Sequence, residues 1–163
     1  MKIIDNFLPE DQFGNLQSFL MGSYFPWYYN DYIVDFQKDD QTQFTNTLYH
    51  PHPPWNGKTT HYFVVEPIIS KLGVTNLYRV KANLRSKTFF PRSSAWHLDD
   101  KYALPATTSI FYINTNNGYT KFKKGGRVKS VANRMVIFDS TEYHCGVSCT
   151  DQKSRVLINF NYS

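Results

Sequence analysis

Cysteine is close to absent. Cys145 and Cys149 are the only two among 163 residues, too few for a disulfide framework and, without further ligands, too few for a zinc site. Long hydrophobic runs are missing as well. Nothing approaches the roughly 18 apolar residues of a membrane span, and the opening stretch, MKIIDNFLPED, lacks the basic-then-apolar pattern of a secretory signal. There is no internal repeat, no low-complexity tract and no Gly/Ser linker. These absences predict a soluble chain in a reducing, cytoplasmic setting with no membrane partner. Acidic residues are outnumbered 13 to 18, a net charge of +5. That permits an anionic substrate or partner and does not require nucleic acid.

What the sequence has in excess is aromatic side chains: 13 Phe, 12 Tyr and 3 Trp, or 17%. Aromatics fit a pleated, half-buried surface, so the prior moves towards β-structure. With 41% hydrophobic and 19% charged residues, the composition is that of a globular domain. The length suits a single core. Residues 1–163 are therefore read as one domain, with a helical and irregular flank over 1–75 and a β core over 76–163.

Two helices are legible in the flank. Pro9 suits a helix start, Glu10 and Asp11 suit its positive end, and Phe13, Leu16 and Leu20 recur at helical spacing before Gly22. A second helix is predicted over 67–72, ended by Gly73. Between them, residues 24–60 are rich in Tyr, Pro, His and Asp, with a short extended piece at 32–36. From residue 76 the period changes to two. LYRVKANLR at 77–85 alternates as a half-buried strand does. TTSIFYIN at 107–114 is β-branched and aromatic and runs into Asn116-Asn117-Gly118, a hairpin turn signal. Short strands are predicted at 119–122, 128–131, 135–138 and 155–162. Strands at such intervals indicate a sandwich or barrel, mainly β with flanking helices.

The chemistry-bearing residues are His97, Asp99 and His144. On extended backbone, positions i and i+2 share a face, so His97 and Asp99 can reach one metal together. His144 on a neighbouring strand completes a face of two histidines and one carboxylate, the ligand set of non-haem Fe(II) oxygenases. A His-x-Asp tripeptide alone reads better as a surface His-Asp pair. Arg155, opening the last strand, adds weight: a guanidinium at the base of a barrel is costly unless it meets an anion, and its planar fork grips a carboxylate at two points.

With those residues in order, and Tyr112 on the intervening strand, the sequence resembles the 2-oxoglutarate/Fe(II)-dependent dioxygenases. Within them it is most similar to the prolyl-4-hydroxylase-like branch, which includes small phage-encoded forms. Residues 76–163 carry the resemblance in RVKANL, WHLD, TSIFYINTNNGYTKF, ANRMVIFDSTEYHCG and RVLINFNY, and IIDNFLPEDQF carries it more loosely. The resemblance implies a double-stranded β-helix, the cupin-like jelly roll. It implies His97, Asp99 and His144 as Fe(II) ligands, Arg155 and the Tyr112 hydroxyl on the distal carboxylate of 2-oxoglutarate, O2 as the second co-substrate, and Asn83 and Asn159 as candidate secondary contacts. For a phage-encoded chain the compartment would be the host cytoplasm. Collagen-type prolyl hydroxylases often carry Lys where Arg155 stands, so the substrate stays open. The glycine-rich turn before the family's last core strand is here Ala132-Asn133-Arg134, where Asn tolerates the left-handed conformation.

Three functions compete. The first is hydroxylation of a peptidyl residue, with proline as the family default. The second is demethylation or hydroxylation of a nucleic acid by the same chemistry, against which no aromatic-basic stretch stands out as a base reader. The third is a metal-free jelly-roll binding module, which has no need of the full ligand set. Oligomeric state is not legible. His50, His52 and His61 lie among prolines and read as solvent-facing. Cys145 beside His144 reads as a packing residue turned away from the site, and the basic residues Lys121, Lys123, Lys124, Arg127 and Lys129 as a solvated edge. The segment 24–61 and the loop around 88–94, with Phe89 and Phe90, are expected at the mouth.

Overall fold

Pro9 has no amide hydrogen to lose and Glu10 and Asp11 favour the positive end of the helix dipole, so α1 (Glu10–Met21) starts there, burying Phe13, Leu16 and Leu20. A 3-10 turn (Tyr62–Val65) leads into α2 (Glu66–Leu72), which stops where Gly73 turns left-handed at φ 66°. These elements belong to a computed structural model that describes residues 1–34, 40–99 and 106–163. Of the extended piece expected at 32–36, residues 35 and 36 lie outside the described residues. Among the described residues no helix is long and apolar enough to cross a membrane.

The strands, in chain order, are β1 (Lys2–Ile4), β2 (Tyr28–Asn30), β3 (Gln43–His50), β4 (Gly57–Lys58), β5 (Leu77–Ser86), β6 (Thr107–Tyr112), β7 (Tyr119–Phe122), β8 (Arg127–Lys129), β9 (Arg134–Asp139), β10 (His144–Val147) and β11 (Ser154–Tyr162). Eight form a major sheet in the order β1-β9-β6-β11-β5-β3-β2, with β4 paired to β3; β10-β7-β8 form a minor sheet. Neighbours within each sheet are antiparallel.

Strand alternation gives the major sheet two different faces. Val80, Ala82, Phe111, Met135, Val156, Ile158 and Phe160 join Phe13, Leu16, Leu20 and Ile68 in one core beneath the helices. The opposite face packs Ile110, Tyr112, Val136, Phe138 and Leu157 against Phe122 and Val128 of the minor sheet. The layers are therefore helices, major sheet and minor sheet. The site lies between the two sheets.

Three expectations change. The first 75 residues are not only helical and irregular, because they add β1 to β4 to the major sheet. Asn116-Asn117-Gly118 does not close a hairpin: β6 pairs with β9 and β11, whereas β7 pairs with β8 and β10. The Asn116 side chain makes the turn, accepting from Gly118 N at 3.0 Å, and the chain passes from one sheet to the other. His97 and Asp99 stand on extended backbone tied by an isolated bridge rather than inside a named strand. The turn at Ala132-Asn133-Arg134 is as expected, with Asn133 left-handed at φ 60°.

Candidate active site

The floor of the site follows from register. On the face of the major sheet turned to the minor sheet, β5 presents Arg79, Lys81, Asn83 and Arg85, and β11 presents Asn161, Asn159, Leu157 and Arg155 opposite them. Thr108, Ile110 and Tyr112 of β6 continue the first three rows. A cavity of about 390 Å³ opens above this floor, walled by Ser94, Trp96, His97, Leu98 and Asp99 and by Tyr143, His144 and Gly146. That is the size of a small-molecule site. The expected mouth is met in part: Ile33, Val34, Gln43 and Ser94 line the cavity, while Phe89 and Phe90 point into solvent.

His97 and His144 form an antiparallel bridge that carries both imidazoles into the cavity. His97 Nδ1 lies 3.2 Å from the Ala95 carbonyl and His144 Nδ1 lies 3.0 Å from the Glu142 carbonyl. A carbonyl only accepts, so Nδ1 carries a proton in both rings, and the neutral form of each keeps its lone pair on Nε2. His144 Nε2 is buried with no hydrogen-bond partner among the described residues. Burial, helped by the neighbouring His97, lowers the His144 pKa to about 4, so the ring is neutral at neutral pH. Asp99 is 6% exposed. Burial pushes its carboxyl up, but the charge of Arg79 beside it prevails and holds it below the ordinary value, ionised.

Two imidazole nitrogens and a carboxylate are a donor set for a divalent transition metal. Among the described residues no three such side chains are already drawn into a cluster. Asp99 Oδ2 stands 3.8 Å from His144 Nε2, against roughly 3.0 Å for adjacent ligands each about 2.1 Å from one ion. The two atoms are thus about 0.8 Å further apart than adjacent ligands of one ion. The orphaned Nε2, the fixed tautomers and the ionised carboxylate together fit a metal.

At the other end of the cavity Arg155 is 2% exposed. Its Nε donates to Ser130 Oγ at 2.8 Å and its Nη2 to Thr120 Oγ1 at 3.1 Å. No carboxylate among the described residues pairs with it. Burial lowers its pKa from the ordinary arginine value, yet a guanidinium stays charged at neutral pH. Tyr112 lies behind this group rather than on the cavity wall: its hydroxyl donates to Thr120 Oγ1 at 2.7 Å and its ring centroid is 5.6 Å from the guanidinium carbon. Thr120, which lines the cavity, thus links the two. Asn83 and Asn159 both line the floor; the Asn83 amide donates to the Lys81 carbonyl, and the buried Asn159 Oδ1 has no partner among the described residues.

Arg79, Lys81 and Arg85 also line the cavity; the alternation of 77–85, which puts them on one face with Asn83, is the sequence signal for them. Arg85 donates to the Gly146 carbonyl at 2.8 Å and to Gln41 Oε1 at 2.6 Å. Cys145 is buried between two cavity residues on β10 and faces away from the cavity, as alternation requires. His50 contacts His52 and Trp55 at the surface, and neither histidine lines the cavity. Lys121 and Lys123 lie over the rings of Trp96 and Tyr143, at 5.6 and 4.7 Å, which rims the cavity with cation-aromatic pairs.

No family model matches the chain, and no curated protein matches it. Solved structures do. A prolyl hydroxylase from Trichoplax adhaerens, in complex with a peptide fragment of the hypoxia inducible factor oxygen degradation domain, is 14% identical with a TM-score of 0.63, over 99% of this chain and 82% of that one. A Pseudomonas putida prolyl-4-hydroxylase is 14% identical with a TM-score of 0.62, over 99% of this chain and 91% of that one. The epimerase SnoN, in complex with Fe3+, alpha ketoglutarate and nogalamycin RO, is 11% identical with a TM-score of 0.64, over 98% of this chain and 77% of that one. The shared property is the fold, the double-stranded β-helix or jelly roll.

Proposed function

We propose that the protein is an Fe(II)- and 2-oxoglutarate-dependent oxygenase that hydroxylates a peptidyl residue of prolyl type. One juxtaposition carries this reading: a buried guanidinium and a buried imidazole nitrogen share one cavity, and among the described residues the first has no carboxylate partner and the second no hydrogen-bond partner. A Cβ at Gly146 would lie 3.4 Å from Arg155 Nη1, and Gly146 is two residues from His144, roughly 7 Å of strand. A five-carbon diacid with one end among His97, Asp99 and His144 spans a gap of that order to Arg155.

Held by His97, Asp99 and His144, iron would supply the oxidising power with 2-oxoglutarate and O2, one oxygen atom going into a substrate C–H bond and the other into the succinate formed with CO2. The chain's own residues do the rest. The Ala95 and Glu142 carbonyls hold both imidazoles in the ligating tautomer. Arg155 supplies a charge-assisted, two-point grip for the distal carboxylate, steadied by Ser130 and Thr120. Phe138 and Phe122, with ring centroids 4.9 and 6.3 Å from that of His144, shut water out from behind.

The peptide assignment draws on the Trichoplax neighbour, whose partner is a peptide, and on a rim of Trp96, Tyr143, Lys121 and Lys123 that suits an extended chain better than a single stacked base. The test is succinate formation from 2-oxoglutarate with Fe(II), in the presence of proline-containing peptides or methylated oligonucleotides. Stimulation by peptides supports the proposal. Stimulation by oligonucleotides alone replaces the substrate class, and no Fe(II) or 2-oxoglutarate binding at all leaves a non-catalytic jelly roll.

A further inference from the structure

The geometry points to Arg79 as a positioning residue for the Asp99 carboxylate, locked in place by Asn161 and assisted by Thr108. The inference rests on the reading of Asp99 as a metal ligand. Arg79, Asn161 and Thr108 belong to three adjacent strands, β5, β11 and β6, and are direct cross-strand partners. Their side chains close a ring with Asp99. Arg79 Nη2 donates to Asp99 Oδ1 at 3.2 Å and Arg79 Nε donates to Asn161 Oδ1 at 3.0 Å. Asn161 Nδ2 donates to Thr108 Oγ1 at 3.0 Å, and the Thr108 hydroxyl donates to Asp99 Oδ2 at 3.2 Å.

The ring has one direction. A guanidinium only donates, so Asn161 must offer Arg79 its oxygen, which turns its NH2 to Thr108. Thr108 then has its own proton left for Asp99. Both arms of the ring end on the carboxylate, Arg79 Nη2 on Oδ1 and the Thr108 hydroxyl on Oδ2, and Asn161 and Thr108 are fully buried, so no water substitutes for them. Asp99 itself sits on the segment outside the named strands, where backbone pairing restrains it less. The ring supplies the missing restraint: Oδ1 is committed to Arg79, which leaves Oδ2, 3.8 Å from His144 Nε2, as the oxygen presented to a metal.

Two effects of Arg79 oppose each other. Its charge repels a cation, while its hydrogen bond fixes the ligand. Outer-shell partners of metal ligands typically cost 10–100-fold in metal affinity when removed, so geometry prevails and removing Arg79 weakens binding.

The test is the Mn(II) affinity of the full chain, read by electron paramagnetic resonance, with melting of the metal-free protein as a check on folding. Arg79→Met is expected to bind Mn(II) about 10–100-fold more weakly than the parent, with partial recovery in Arg79→Lys. Thr108→Val, nearly isosteric and uncharged, gives a smaller loss and carries the test if Arg79→Met does not fold. In an Asp99→Ala background, where only the repulsion remains, Arg79→Met should weaken the residual affinity no further, which a merely structural role would not produce. Unchanged or tighter Mn(II) binding in folded Arg79→Met or Thr108→Val overturns the role, as does an equal loss in the Asp99→Ala background. A parent protein that binds no Mn(II) overturns the metal reading itself, and the role with it.

Discussion

His97 and His144 stand directly opposite each other, each backbone N–H donating to the other's carbonyl at 3.1 Å, with ring centroids 4.3 Å apart. The bridge is backbone alone, so truncating either side chain removes a donor nitrogen and leaves the scaffold. His97→Ala, at a half-buried position, forfeits one hydrogen bond worth about 1 kcal/mol. His144→Ala also opens a void against Phe138 and costs about 2–3 kcal/mol. Both should abolish Mn(II)-dependent thermal stabilisation. Metal binding retained in folded His97→Ala would remove His97 from the site.

Much of this site was readable before the fold was known, because its residues obey strand alternation. His97 and Asp99 at i and i+2, and His144 and Gly146 at i and i+2, face one cavity as the period of two requires. Asn133 marked a left-handed turn by residue type. The strand at 43–50 was illegible for a physical reason: Gln43, Thr45 and Asn46 are buried polar residues. Gln43 donates to the Ile33 carbonyl and Asn46 to that of Pro26, so the inward positions do not look hydrophobic. The Asp99 ring was out of reach as well, since it needs the register of 79, 108 and 161 across three strands.

Asn133 offers a stability test. It is left-handed at φ 60°, its Oδ1 accepts from Leu8 N at 2.8 Å and its Nδ2 donates to Leu8 O at 2.9 Å. Asn133→Gly keeps the backbone and loses both bonds, about 2 kcal/mol. Asn133→Ala adds the left-handed penalty of about 1 kcal/mol. Denaturant melts should rank Asn above Gly above Ala. An alanine variant as stable as the glycine variant refutes the strain argument.

The thiols should be inert in the native state. Cys145 and Cys149 are buried, and burial raises both pKa values above the ordinary thiol value. A raised pKa keeps the thiol protonated at neutral pH, and the reactive thiolate appears only in alkaline solution. Iodoacetamide followed by mass spectrometry should find neither cysteine labelled in the folded protein and both labelled in guanidinium. Rapid native labelling of Cys145 would show that its thiol, not only its neighbours, reaches the cavity.

Gly118 is where the fold makes room for Arg155. A Cβ there would lie 2.7 Å from Arg155 Cδ, 2.8 Å from Asn116 Oδ1 and 2.9 Å from the Val147 carbonyl oxygen. The carbonyl belongs to the β10 backbone and cannot retreat cheaply, so the arginine side chain must move. Gly118→Ala should destabilise by about 1–3 kcal/mol through overpacking. It should also raise the KM for 2-oxoglutarate, because the guanidinium no longer meets the carboxylate squarely. Arg155→Lys tests the same contact without the steric change. It keeps the charge and loses the planar fork, worth about 1.5–3 kcal/mol, or roughly 10–100-fold in affinity. In both variants Mn(II) affinity should stay at the parent value, since His97, Asp99 and His144 lie beyond the disturbance. That split decides the matter: loss of 2-oxoglutarate binding alone assigns Arg155 to the carboxylate, whereas metal and 2-oxoglutarate affinity falling together shows a general loosening of the jelly roll.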